Sequence, residues 1–444
     1  MGTSRRRRGS DDGGRMVPLP AKYAVPKKPK KSLKERMFGN FPICTAIFGV
    51  LLSVFCAAHL ADRYVQAPIK AASFLLGKPL PFEGVLAVNN RLTQAEILLE
   101  DQVYGPESMV LDEKTQTLYT GFKSGLIAQI HMEGNKMKIG NAVRLAQGKD
   151  LSYCDGSYDT MPMCGRPLGL RMSPAGEVIV ADAYLGLFAL NFEAEKTVKI
   201  IGAGEIPAND KNAPPVKYLN DLDYLPDGRI ILTESSTKFD DRQLVYEMFE
   251  HRPNGRILIY EPKKKNLRVL VDGLYFPNGI QVSIEKGAAK NAPFRVFFSE
   301  MAKTRVMQLW VPRDHYSTDP IQVSPLIEHL PGYPDNIRLT KTGHLLIPIP
   351  TLRSYEESEA LNTNPRLREL LSKAFSIRLL TFMVSKFVPP YGLVLKVNTE
   401  TGAVIESYHD ETGKVESISI AIDDGKGKMI LGSDTNYYIA RAKL

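Results

Sequence analysis

Residues 218–236 read YLNDLDYLPDGRIILTESS, and the plan of the molecule can be drawn from that stretch. An apolar-polar alternation meets a Pro-Asp-Gly turn and leads into a second run rich in β-branched residues, which is the pattern of an antiparallel hairpin. Its first five residues set a frame that recurs as GPESM from Gly105, RPLGL from Arg166, FPNGI from Phe276, YPDNI from Tyr333 and, more weakly, VESIS from Val415. In four copies the third frame residue stands eight positions before a turn glycine: Leu168 to Gly176, Asn220 to Gly228, Asp335 to Gly343 and Ser417 to Gly425. Equal spacing implies equivalent places in repeated strands.

A second strand follows each of these turns (EVIVADA, RIILTES, HLLIPIP, KMILGSD), then a third (GLFALNF, GRILIYEP, YGLVLKVN, YYIARAKL) and often a fourth (VKIIG, LRVLVDG, AVIESYHD). Three or four antiparallel strands in each of six units of roughly 50 residues predict an all-β fold, a six-bladed β-propeller over 91–444. Barrels and sandwiches do not explain the frame. The early segment AEILLE (95–100) is placed to close the ring by joining the last unit. The fifth unit is interrupted at 351–389, where NPRLRELLSKAFSIRLLTFMVSKFVPP has helical periodicity and basic residues on its polar side. Three readings stay open for it: a helix packed on the propeller, one lying against a membrane, or a lid over the site.

The net charge of +8 is misleading as a whole-chain figure. Residues 1–36 hold twelve Lys/Arg against three Asp/Glu, which is +9, so residues 37–444 sum to −1. A near-neutral body offers no basic groove for nucleic acid. From Met37 to Ala61 there is no Asp, Glu, Lys or Arg, and Phe41 to Leu60 is long enough to cross a hydrocarbon core of about 30 Å. With the basic tail before it, this run reads as a single transmembrane signal anchor (37–61) of type II topology, followed by a linker (62–90) and a lumenal or extracellular propeller. A cleaved signal peptide and a buried core helix are the competing readings. The Arg5 to Arg8 run could fix orientation or act as a retention address, which leaves plasma membrane and endoplasmic reticulum both open.

Of four cysteines, Cys44 and Cys56 fall in the apolar run, while Cys154 and Cys164 bracket a polar loop and form a plausible disulfide in an oxidising lumen. Zinc is disfavoured, since no second Cys or His pair accompanies them. No Asn-x-Ser/Thr sequon occurs.

In a propeller the innermost strand of each blade starts near the central channel, so one frame position converges on the axis. The third position reads Glu107, Leu168, Asn220, Asn278, Asp335 and Ser417, with Asn336 beside Asp335. Two carboxylates and three amides facing one point make an oxygen cage suited to Ca²⁺, and the absence of Cys or His disfavours softer metals. Any one of Pro-Asn-Gly or Pro-Asp-Asn alone is better read as a turn. The shared register is what argues for a site.

GPES, CGRPLGL, VADAY.GLF, NDLD.L.DGR, FPNGI and PGYPDNIR, in that order after a signal anchor, resemble the adipocyte plasma membrane-associated proteins of the strictosidine synthase-like family, from about residue 85 to the carboxy terminus. The resemblance implies a six-bladed propeller related to paraoxonases and senescence marker protein lactonases, with a catalytic Ca²⁺ in the tunnel. It also implies the same ligands, Glu107, Asn220, Asn278, Asp335 and Asn336. Two departures limit it. Where paraoxonases carry a histidine assigned to water activation, this chain has Leu168, and none of its seven histidines falls in a frame. Where they hold a second, structural calcium through an acid after the first-blade Glu, this chain has Ser108, although Asp221 matches another ligand of that site.

The expected activity is Ca²⁺-dependent hydrolysis of esters or lactones, the metal polarising the carbonyl. Glu234 and Asp182, each six residues after its turn glycine, are the candidate bases, with Glu300 less secure. Each could equally be a carboxylate holding a neighbouring loop. Arg166 could bind an anionic substrate group or pair with one of these acids. A calcium-stabilised binding propeller without significant catalysis fits the same residues. Strictosidine synthase chemistry itself is not expected, because that enzyme uses a pocket glutamate and no tunnel metal.

Overall fold

The computed structural model describes residues 47–54, 56 and 66–444, apart from 135, 149, 284–288, 290–291 and 315–319. Six four-stranded antiparallel sheets follow one another along the chain. Blade one is Met109–Asp112, Thr117–Gly121, Leu126–Glu133 and Lys136–Arg144, and blade two is Pro167–Met172, Val178–Asp182, Gly186–Asn191 and Lys196–Gly202. Blade three is Tyr218–Tyr224, Ile230–Ser236, Gly255–Glu261 and Asn266–Leu274. Blade four is Pro277–Val282, Phe294–Glu300, Arg305–Val311 and Val323–Ile327, and blade five is Arg338–Leu339, Leu345–Pro348, Gly392–Val397 and Val404–Asp410. The last blade joins Ile420–Asp423, Lys428–Gly432 and Ile439–Lys443 to the early strand Glu96–Leu98, with Ile97 opposite Ala440. The closing strand therefore comes from the segment expected to supply it.

The recurring glycine has a conformational cause. Gly176, Gly228, Gly343 and Gly425 take φ of 85°, 89°, 82° and 71°, a left-handed turn position that costs glycine little. In blade three the turn is closed by the Gly228 N–H donating to the Leu225 carbonyl at 2.9 Å. Second strands are buried on both faces, as every residue of Ile230–Ser236 shows, so they read as continuous apolar runs. Apolar clusters fill each gap between blades. Leu222, Leu232 and Leu258 meet Ile179 and Leu187 of blade two. Ile420, Ile430 and Ile439 of the last blade pack with Met109, Leu118 and Ile130 of the first, so the core is continuous around the ring.

The blade-five interruption is helical. It contains α3 (Tyr355–Asn362), α4 (Pro365–Ala374) and α5 (Ile377–Phe387). Earlier in the chain come α1 (Met161–Cys164), at the end of the loop clamped by the Cys154–Cys164 disulfide, and α2 (Leu244–Glu250), between the second and third strands of blade three. Through Val245, Tyr246 and Phe249, α2 packs against Leu380 of α5 and Leu371 of α4. The insertion is thus seated on blade three as well as on its own blade.

Most of the run read as a membrane anchor lies outside the described residues. Residues 47–54 and 56 are helical, with Ile47, Phe48, Val50 and Leu52 exposed. Among the described residues no helix is long and apolar enough to cross a membrane.

Candidate metal centre on the propeller axis

The structure places the five proposed ligands in the interior. Glu107, Asn220, Asn278, Asp335 and Asn336 are all buried, none more than 7% exposed. Each contributes one buried oxygen that accepts no hydrogen bond: Glu107 Oε2 and the Oδ1 atoms of Asn220, Asn278, Asp335 and Asn336. The second Glu107 oxygen accepts from Asn336 Nδ2 at 2.7 Å, which joins blade five to blade one. Ser417, the sixth frame residue, is half-buried at φ 52° and stands outside this set.

Backbone packing at the axis makes the convergence possible. A Cβ on Gly279 would meet Ile337 N at 2.4 Å and Asp335 O at 2.6 Å; one on Gly169 would meet Asn220 O at 2.6 Å. Glycine after the third frame residue therefore lets the next inner strand approach main chain to main chain. Hydroxyls from the preceding blade then fix the frame carbonyls of the following one. Thr233 donates to Asn278 O at 2.6 Å, Ser299 to Asp335 O at 2.9 Å, and Ser419, from the start of the last blade's inner strand, to Glu107 O at 2.7 Å. Sequence reasoning passed over these hydroxyls. Their signal was a Ser or Thr directly before the second-strand acid, in Thr233-Glu234 and Ser299-Glu300.

The electrostatics are those of a site that is costly when its oxygens face nothing. Burial pushes the Asp335 carboxyl up to about 8, with the charge of Asp434 adding to it. Burial, then the charge of Asp335, hold Glu107 well above the carboxylate range. Orphaned acceptors in a dry interior each carry a desolvation penalty of about 1–3 kcal/mol, more when charged. A hard divalent cation that takes oxygen ligands offsets that penalty, and the donor set fits Ca²⁺. Among the described residues no three His, Cys, Asp or Glu side chains gather as a metal cluster. The proposed ligand set depends instead on three amides.

Directly beside the cage lies a second polar layer that frame reasoning did not anticipate. Asp221, fully buried, accepts from Arg338 at 2.7 and 3.2 Å, from Arg171 at 3.2 and 3.3 Å, and from Ile280 N at 2.9 Å. Arg338 also donates to Ser108 Oγ at 3.2 Å. Ser108 and Asp221 are the two positions weighed for a second metal, and guanidinium groups engage both. The signal was present three residues beyond the third frame position, where Arg171, Asp223, Gln281 and Arg338 share one register.

The candidate bases are placed differently from the ligands. Glu234 accepts from Lys217 N at 2.7 Å through one oxygen and from Arg256 Nε at 2.6 Å through the other. Glu300 is held likewise by Tyr275 N at 2.8 Å and Arg305 Nε at 2.7 Å. Asp182 Oδ1 accepts from Tyr184 N and Leu185 N, both at 2.9 Å, while its buried Oδ2 has no partner. Burial pushes the Asp182 carboxyl up to about 6. Arg166 is fully buried, 3.5 Å from Asp434. Leu168 joins Tyr218, Phe276 and Ala302 in an apolar cluster flanked by Tyr184, Met248 and Met301. Asn278 Nδ2 lies 3.8 Å from Met301 Sδ, so this apolar wall borders the cage. Phe276 takes φ 53°, a strained position for a bulky residue, immediately before Pro277 and Asn278.

Comparison with known proteins gives the family. The chain is 33% identical over 401 residues to the rat adipocyte plasma membrane-associated protein, which covers 89% of this chain and 98% of that one. The chain belongs to the adipocyte plasma membrane-associated protein family. The human member is 32% identical over 388 residues, covering 86% of each chain. The strictosidine synthase-like N-terminal profile matches residues 84–130 and the strictosidine synthase profile residues 220–314. Among solved structures, a gluconolactonase from Xanthomonas campestris is similar at 12% identity and a TM-score of 0.49, covering 86% of this chain and 99% of that one. At that level the likeness bears on neither substrate nor mechanism.

Proposed function

We propose that this protein is a membrane-anchored, Ca²⁺-dependent hydrolase of esters or lactones, arylesterase-like, whose ion is held by Glu107, Asn220, Asn278, Asp335 and Asn336. The observation that carries this reading is the set of five buried oxygens, one from each residue, that accept no hydrogen bond within the protein. Bound there, Ca²⁺ would polarise a carbonyl and stabilise the negative charge that develops on its oxygen.

The chain's own residues supply the rest. Leu168, Tyr218, Phe276 and Met301 exclude water and take the apolar part of the substrate. Arg166, paired with Asp434, adds buried positive charge beside Glu107. Of the two proposed bases, Asp182 has an oxygen without a partner and a carboxyl raised to about 6, which suits proton acceptance near neutrality. Glu234, tied at both oxygens, acts by holding Arg256 and the loop at Lys217. The relatives' name supports residence at the plasma membrane, and the Cys154–Cys164 bridge supports an extracellular propeller.

The test is hydrolysis of aryl esters and lactones by the full chain in detergent, with and without a chelator, and by Asn278→Ala. Loss of turnover in both cases, with circular dichroism unchanged, supports the hydrolase. Bound Ca²⁺ with turnover absent, or indifferent to the substitution, supports a calcium-stabilised binding module instead.

A further inference from the structure

Helix α5 is amphipathic in the wrong sense for a helix facing water. Of its eleven residues only Leu380 is buried, inside the cluster with Val245, Tyr246 and Phe249 of α2. Leu379, Phe382, Val384 and Phe387 on the same helix are 43%, 57%, 38% and 80% exposed. Isolated apolar side chains at a surface are ordinary, but four exposed on one short helix call for an occupant. Its charged residues are cations: Arg378 at the start and Lys386 near the end, the latter 5.0 Å from the Phe382 ring. Between Leu370 and Thr399 the sequence contains no Asp or Glu. An apolar face, basic flanks and no acid are the features of a helix lying in a lipid interface.

The route of the chain into the propeller points the same way. Residues 70–76 form a strap bonded to the helical insertion: Ala71 N donates to Glu369 Oε1 at 3.0 Å, Leu76 N to Glu359 Oε1 at 3.1 Å and Phe74 N to Asn362 O at 3.3 Å. Lys70 N is pinned to Glu250 of α2 at 2.7 Å. The charge-free run ends near Leu60, so ten residues, at most roughly 35 Å of extended chain, separate it from this pinned point. The described part of that run lies against the same insertion, where Phe48 and Leu52 face Leu367 and Leu371 across a cavity of about 290 Å³. A bilayer holding residues 41–60 would therefore lie within reach of the insertion.

We infer that the exposed apolar side chains of α5 dock on the lipid surface, seating the propeller on the bilayer through Leu379, Phe382, Val384 and Phe387. This rests on the anchor reading but not on catalysis. The chain has a single tryptophan, Trp310, in the third strand of blade four, which provides an internal reference. Full-length protein with Trp310 as its only indole is compared with two Trp310→Phe proteins, one also carrying Phe382→Trp and the other Phe387→Trp. All are reconstituted in phosphatidylcholine and phosphatidylserine vesicles containing brominated lipid.

The expected result is at least twofold stronger quenching by brominated lipid at both introduced positions than at Trp310, with protection from aqueous acrylamide. Acrylamide quenching without lipid quenching would place α5 in water and overturn the inference. Protection from both quenchers would show a protein covering the face and overturn it equally. Failure of the chain to float with vesicles would remove the anchor and this inference together, whereas flotation without lipid quenching would remove this inference alone.

Discussion

Asn336 Nδ2 donates to Glu107 Oε1 at 2.7 Å across 229 residues of sequence, leaving one free oxygen on each side chain. The contact fixes two of the five proposed ligands against each other, so Asn336 acts both as ligand and as the group that orients another.

Replacing Asn336 by Leu is therefore expected to remove one ligand and release a second. Ca²⁺ affinity is expected to fall roughly 10- to 100-fold, the range seen when groups that orient a metal ligand are lost. Calorimetric titration of wild type and variant measures it.

Arg338 is expected to matter for stability. Its guanidinium and that of Arg171 are the cations on Asp221, which is fully buried. Arg338→Met leaves Asp221 with one cation in a dry site, and breaking a buried pair in this way costs about 3–5 kcal/mol. The urea midpoint of the variant is expected to fall accordingly, while Arg338→Lys should recover part of the loss.

Glu247 of α2 sets a pH dependence. Burial pushes its carboxyl from the ordinary 4.5 up to about 7, against hydrogen bonds from Ser236 and Asn254. A carboxyl with a raised folded-state value favours folding while it is protonated. That contribution is whole below about 4.5 and is lost as pH rises through about 7, amounting to about 3 kcal/mol. Glu247→Gln is expected to flatten the decline in unfolding free energy across this window; an unchanged slope would assign the decline to other groups.

Removing the Cys154–Cys164 bridge by paired Ser substitutions opens a short loop and is expected to cost about 2–3 kcal/mol. The same loop carries Tyr158 and Asp159, which meet Arg378 of α5. Proteolysis at the loop and at α5 should therefore accelerate together.

The propeller was legible because its repeat is enforced by backbone geometry. Four turn glycines need positive φ, and the frame residues need glycine or proline to crowd at the axis, so both leave marks at fixed spacing. The burial of the frame residues was legible for the same reason. What escaped was the Asp221 network, since Arg338 lies 117 residues from its partner and only the ring closure brings them together. Helix α2 escaped as well: its seven residues divide their apolar side chains between α5 and the chamber wall, which leaves no simple periodicity. The carboxylates ending the second strands were read correctly as acids at equivalent positions, but one sequence could not show that Glu234 and Glu300 each meet an arginine on the third strand of the same blade.

The proposed Ca²⁺ site rests on five buried oxygens at the propeller axis. Its most direct test is calorimetric titration of Ca²⁺ into the full chain in detergent, repeated with Asp335→Ala and in the presence of Mg²⁺. One site per chain, selective for Ca²⁺ and abolished by the substitution while circular dichroism is retained, is the expected result. Absence of binding, or binding that survives the loss of Asp335, would contradict it.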